Sequence, residues 1–163
     1  MPKHRQTKQM KQILLIIITL ISMLSCKAQV STSQLIGTKW KMTSPSGEDI
    51  VKTTWEFTNK EIKETIYFIP YNEEIINVFP YYISSSFPSV FVHNCVGKNY
   101  TGKYLVKLLE RNNRMYWYTI TSVNWTTGDM YLFRQPAEDE VGGRPVTIHF
   151  KLISKGSHGG GRR

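Results

Sequence analysis

Apolar residues recur with period two along most of this chain, and that spacing confines it to strands with one face turned inward. Thr53-Thr54-Trp55-Glu56-Phe57-Thr58 sets Trp55 and Phe57 on one face. Ile62-Lys63-Glu64-Thr65-Ile66-Tyr67-Phe68 does the same for Ile62, Ile66 and Phe68, with Glu64 among them. Between these runs, Thr58-Asn59-Lys60-Glu61 reads as a hairpin turn, Asn59 tolerating the left-handed conformation. Gly102, Tyr104, Val106 and Leu108 align, opposed by Lys103 and Lys107. After a turn at Arg111-Asn112-Asn113-Arg114, Tyr116, Tyr118 and Ile120 share a face. Met130 to Phe133 follows, then Val146, Ile148, Phe150 and Leu152 alternate with His149 and Lys151. Leu35 to Met42 is the predicted first strand. Glu73 to Ser84 is strand-like but holds Pro80, which lacks the N–H of a ladder, so an edge, a bulge or two short pieces is expected. Pro136 to Pro145 reads as a solvated loop. After Cys26 no window of about eleven residues carries the helical period, and only Ser31 to Ile36 admits one short turn, capped by Ser31 or Thr32.

These runs amount to about eight or nine antiparallel strands joined mainly by short turns. A flat sheet of that width leaves two exposed edges, and closing it removes them. The expected class is all-β: a small antiparallel up-and-down barrel, its interior filled by side chains or holding one small ligand. Four Trp, nine Tyr and seven Phe in 163 residues supply a core and exclude a disordered chain.

The first residues carry an address. Lys3, Arg5, Lys8 and Lys11 precede an apolar run from Ile13 to Leu24, then Ser25 and Cys26. This is the layout of a secretory signal peptide. As helix the run rises about 18 Å, well short of the roughly 30 Å hydrocarbon core. Met23-Leu24-Ser25-Cys26 resembles the lipobox of bacterial lipoproteins. That resemblance implies a signal peptide over 1–25 and acylation of Cys26, giving a membrane partner through a lipid anchor. The residues alone also admit ordinary cleavage near Cys26-Lys27-Ala28, with a soluble product from near Gln29. Similarity to lipoproteins of Bacteroidetes type implies the outer membrane, and the acid-free run Lys27-Ala28-Gln29-Val30-Ser31 favours a periplasm-facing position.

The net charge of +9 overstates the domain. Removing the four basic residues before Cys26 leaves +5, and setting aside Lys155, Arg162 and Arg163 leaves +2. No basic stripe remains for counterion release, so no nucleic-acid partner is expected. Cys95 ends the apolar run Val90-Phe91-Val92-His93-Asn94-Cys95 and is expected to be buried there, sharing a strand face with His93. A structural zinc site needs four ligands, and His149 and His158 are not ligand-spaced, so no metal is expected. Gly159-Gly160-Gly161 lacks the strand–turn–helix context of a phosphate loop and reads as a flexible end, and no cofactor is expected. The sequons Asn99-Tyr100-Thr101 and Asn124-Trp125-Thr126 read as chance matches. No nucleophile lies beside a base and no carboxylates are paired, so no catalytic residue is assigned and no enzyme is expected.

Leu35-Ile36-Gly37-Thr38-Lys39-Trp40-Lys41-Met42 resembles the first strand of lipocalin-like (calycin) domains, a glycine followed closely by a tryptophan. Two residues separate Gly37 from Trp40, where the family's usual spacing has one. The second strand with Trp55 and Phe57, and Gly102-Lys103-Tyr104, also suit that group. The resemblance covers 34–153 as the barrel domain, after a linker over 26–33 and before a basic tail over 154–163. It implies that Trp40 plugs the barrel floor. Glu64, the acid on an otherwise apolar face, and Tyr104, Tyr116 and Tyr118, apolar rings with a hydroxyl, are the candidate ligand-binding residues. The plainer alternatives are a carboxylate at the rim and tyrosines that fill a core. The expected function is a lipid-anchored envelope protein binding a small hydrophobic or amphipathic ligand in its barrel. The alternative is a protein-binding module, an envelope inhibitor or assembly partner without a small-molecule ligand. It would use the aromatic segments Phe79-Pro80-Tyr81-Tyr82 and Phe87-Pro88, which read as exposed.

Overall fold

The computed structural model describes residues 28–44, 50–136 and 142–156. The expected signal peptide, Cys26, the centre of the Pro136–Pro145 loop and the tail from residue 157 lie outside the described residues. The described part opens with β1 (Val30–Ser31) and one helical turn, α1 (Thr32–Leu35). Ser31 caps α1: its Oγ accepts from the Gln34 N–H, and the Gln34 side chain accepts from the Ser31 N–H, a capping box. The barrel strands follow as β2 (Thr38–Ser44), β3 (Val51–Phe57), β4 (Glu61–Phe68) and β5 (Glu73–Ser84). A short β6 (Thr101–Gly102) pairs with β1 rather than joining the barrel. The chain returns to the barrel with β7 (Tyr104–Leu109), β8 (Arg114–Asn124), β9 (Asp129–Arg134) and β10 (Val146–Lys155). Each barrel strand runs antiparallel to the next, and β10 pairs with both β9 and β2, so eight strands close into one barrel.

In such a meander alternate connections fall at the same end. The β4–β5 and β7–β8 turns mark one rim, and α1 closes the other. Leu35 and Val30 enter the core from that closed end beside Trp40, Trp55, Phe57, Ile62, Tyr81 and Phe150, all buried. Aromatic rings meet there edge to face or tilted, the geometry their quadrupoles favour. Trp55 lies 4.7 Å from Phe150, and Phe57 lies 5.4 Å from Tyr81, centroid to centroid. The Tyr81 hydroxyl donates to the Thr58 carbonyl at 2.9 Å, and burial pushes its pKa well above the ordinary value.

Several sequence expectations are corrected. Leu35, Ile36 and Gly37 belong to α1 and the turn after it, so β2 starts at Thr38. Gly37 makes that turn with a φ of +75°, donating its N–H to the Phe57 carbonyl at 2.8 Å. Residues 30–33 are part of the domain rather than a linker, since β1 is paired and Val30 is buried, and β10 runs on to Lys155. The 58–61 turn is held by the Thr58 hydroxyl, which accepts from the N–H groups of Lys60 and Glu61. Positive φ falls instead at Asn72 and Asn113, each closing a single 3-10 turn at the open rim. β5 is one twelve-residue strand despite Pro80. Its ladder with β7 starts only at Tyr81, so the missing N–H of Pro80 falls where that ladder has not begun.

The stretch after β5 is no strand. It crosses the outside of β5, β7 and β8, where Phe91 packs on Tyr82 at 5.2 Å and Phe87 on Trp117 at 4.8 Å. Strand β7 is therefore buried on both faces. Residues 93–95 form a 3-10 turn, leaving His93 exposed and Cys95 half-buried, not two side chains on one strand face. Of the segments expected to be exposed, Phe79, Tyr81, Tyr82 and Pro88 are buried, and only Phe87 projects. The exposed apolar side chains on the β4–β5 hairpin are Tyr71, Ile75, Ile76 and Val78.

Gly102 marks the closest approach in this outer layer. A Cβ there would overlap the Ser84 carbonyl oxygen, a backbone atom that cannot swing aside. Gly102→Ala is expected to destabilise the fold by about 1–3 kcal/mol, as overpacking does. Urea unfolding followed by tryptophan fluorescence measures it, and an unchanged midpoint would show that the β1–β6 layer yields freely.

Candidate ligand site at the open end of the barrel

Toward the open rim the interior stops being apolar. Glu64 from β4 faces in, and three donors from three strands converge on its carboxylate. The Trp55 indole N–H donates to Oε1 at 2.7 Å, the Lys107 ammonium donates to the same oxygen at 3.3 Å, and the Asn77 amide donates to Oε2 at 3.3 Å. The register explains the meeting: Glu64 lies opposite Trp55 on β3 and Asn77 on β5, and Lys107 lies opposite Tyr81 on β5 and Tyr116 on β8. Glu64 keeps 13% of its side-chain surface and Lys107 5%, so this is an ion pair held inside the barrel.

The ammonium of Lys107 has further partners. It stands 3.9 Å from the Phe79 ring centroid and 4.2 Å from that of Trp55, distances at which ring faces attract a cation. Burial pulls the Lys107 pKa down to about 8, against the raising effect of the Glu64 charge and hydrogen bond, and Arg134 lowers it further.

Above this pair lies a cavity of about 250 Å³. Glu64, Asn77, Phe79 and Lys107 line it, with Tyr116 and Tyr118 from β8. Leu109, Arg111 and Arg134, at the ends of their strands or in the β7–β8 turn, complete the lining nearer the rim. Arg114 and Arg134 both stand over the Tyr116 ring, at 5.6 and 5.4 Å. Among the described residues the lining brings Lys107, Arg111, Arg134 and one carboxylate, Glu64, together beside aromatic walls.

Of the residues singled out in the sequence, Glu64, Tyr116 and Tyr118 come together at this cavity. Tyr104 does not. It lies on the outer face of β7 against Phe87 at 5.9 Å and Trp117 at 6.4 Å, because Leu105 and Lys107, not Tyr104 and Val106, point inward. Trp40 is fully buried at the closed end, its indole N–H donating to the Thr38 hydroxyl at 2.8 Å. That hydroxyl in turn donates to the Leu35 carbonyl, tying the ring to α1. Lys107, Arg111, Arg134, Asn77 and Phe79 were missed as site residues. The available signal was Lys107 itself, one cation in the apolar run Leu105-Val106-Lys107-Leu108-Leu109.

On the outer face a hydroxyl, an imidazole and a carboxylate also line up. The Thr43 hydroxyl lies 2.7 Å from His149 Nδ1, and His149 Nε2 lies 2.8 Å from Asp129. Hydrogen bonds from Thr127, His149 and Lys151 hold the Asp129 carboxyl well below the usual range. Thr43 also donates to the His149 backbone carbonyl at 3.3 Å, and Tyr131 stacks on the imidazole at 4.3 Å. The chain spans β2, β10 and β9, so it braces the seam where the first and last barrel strands meet. Compared with known protein families, curated proteins and solved structures, the chain matches none.

A buried ion pair commonly stabilises no better than apolar side chains of the same volume, whereas removing one partner strands the other charge. Lys107→Met is expected to cost about 3–5 kcal/mol, and Lys107→Met with Glu64→Gln to return to the parent stability or exceed it by about 1–4 kcal/mol. The folded amine loses its proton near 8 while the unfolded chain keeps it to about 10.5, so stability gained from this group rises as pH climbs through that window. The double variant should lose that rise. Urea titrations across the window test both points, and a double variant as unstable as the single one would refute them.

Proposed function

We propose that this chain is a ligand-binding barrel that takes a compact amphipathic molecule with an acidic group into its open end. The observation that carries this reading is the cavity itself, with aromatic walls, an ion pair at its base and the guanidinium groups of Arg111 and Arg134 in its lining. Guanidinium groups bind carboxylates through paired charge-assisted hydrogen bonds, and Arg111 and Arg134 stand where a ligand's acid would emerge. At about 250 Å³ the cavity lies just under the roughly 300 Å³ where small-molecule pockets usually begin. That volume fits a ring or a short acyl chain and excludes a long lipid tail. Buried charges that stability alone does not require also favour a binding role.

Calorimetric titration with benzoate and with octanoate tests it. Saturable binding is expected, weakened about tenfold or more by Arg134→Gln or Arg111→Gln, since a lost charged hydrogen bond is worth about 1.5–3 kcal/mol. Benzyl alcohol should bind worse than benzoate by a similar factor. Absence of saturable binding by either acid would reject the reading.

The envelope location belongs to the same proposal. Its support is the basic, apolar and Ser25-Cys26 layout of the first residues, which suits a protein anchored through acylated Cys26 to the outer membrane and facing the periplasm. Intact mass spectrometry of the protein from its host's membrane fraction should give Cys26 to Arg163 plus acyl chains. An unmodified chain starting near Gln29 would replace the anchor with free secretion.

A further inference from the structure

Lys107 lies deeper in the same cavity than Arg111 and Arg134. It lines the cavity yet is almost fully buried, its amine held with the rings of Phe79 and Trp55 at 3.9 and 4.2 Å and the Glu64 carboxylate at 3.3 Å. An amine kept from water, beside another cation and within reach of a proton carrier, is the arrangement in which lysine adds to carbonyl carbon. We propose that Lys107 condenses with an aldehyde group of the bound ligand to form an imine. The proposal rests on the ligand-binding reading above and narrows the ligand to a compact aldehyde bearing an acid.

The step balances with the groups present. Glu64 takes a proton from the ammonium, and the freed nitrogen lone pair attacks the aldehyde carbon. A C–N bond forms, the carbonyl π electrons move to oxygen, and a proton passes from nitrogen to that oxygen, giving a carbinolamine. The nitrogen lone pair then expels the hydroxyl, which leaves as water with the proton carried by Glu64. What remains is a protonated imine beside an ionised Glu64, with the Trp55 and Phe79 ring faces around the positive nitrogen. The cluster that now holds the ammonium thus serves its product equally well. Burial already brings the amine to about 8, against about 10.4 for an exposed lysine, so far more of it is unprotonated at neutral pH.

The test uses para-carboxybenzaldehyde with cyanoborohydride on the mature protein, followed by peptide mapping. Reduction fixes the imine as a secondary amine that adds the mass of the aldehyde less one oxygen atom. Lys107 should be labelled at least about tenfold faster than exposed lysines such as Lys63, the direction set by its larger free-amine fraction. Excess benzoate should protect Lys107 and leave Lys63 unaffected. Mapping and protection need no variant, so no folding defect obscures the result. Even labelling across the lysines, or an unlabelled Lys107 in protein that still binds benzoate, would overturn the imine and leave the binding reading standing. Selective labelling of Lys107 without benzoate binding would uphold the imine and remove the acid-recognition reading.

Discussion

Trp55 stands where the packed half of the barrel meets the open half, and both depend on it. One edge of its ring lies in the aromatic floor, 4.7 Å from Phe150 and 5.5 Å from Tyr118. Its indole N–H fixes Glu64 at 2.7 Å, and its face receives the Lys107 ammonium at 4.2 Å. The carboxylate is therefore oriented by a buried side chain that Phe57, Tyr118 and Phe150 pack against. Trp55, Glu64, Asn77 and Lys107 come from β3, β4, β5 and β7, four consecutive strands, so the polar cluster also pins their register.

Among the described residues, the two ends of the barrel differ in the chain that packs against them. At the closed end α1 delivers Leu35, the β1–β6 pair delivers Val30, and the Trp40 indole is tied back to α1 through Thr38. At the open end left-handed Asn72 and Asn113 complete the tight β4–β5 and β7–β8 turns. Closure itself is completed where β10 meets β2, through a ladder with register shifts at His149/Phe150 and Leu152/Ser154. Bulges of this kind raise local twist, which a closing sheet needs. The Thr43–His149–Asp129 chain ties the strands together on the outside of that seam.

Most of the barrel was legible because period two survives wherever one face meets core and the other meets water. Trp55 and Phe57, Tyr118 and Ile120, and Ile148 and Phe150 all follow it. The pattern misled at β7 for a definite reason. The segment after β5 covers that strand from outside, so Leu105, Val106 and Leu108 are all buried and alternation no longer tells inside from outside. Lys107 then looks like the solvent-facing lysine of an ordinary strand, and Tyr104 looks inward. Glu64 was visible because its neighbours Ile62 and Ile66 left it as the polar residue on an inward face. Its partners were not, since Asn77 and Lys107 lie thirteen and forty-three positions away and meet it only through the register of β4, β5 and β7.

The charge balance of the cavity follows from this placement. Three cations lining one small space would repel strongly in a medium of low dielectric, and Glu64 makes the arrangement tolerable by neutralising the deepest of them. Arg111 and Arg134 line the same space nearer the rim. In the binding proposed above, an acid at the rim would meet guanidinium groups while an apolar body met Phe79, Tyr116 and Tyr118. A neutral ligand of the same shape would gain the second contact only. On that proposal the packed floor limits the size of the ligand and the rim its charge, with Glu64 holding the deepest cation between them.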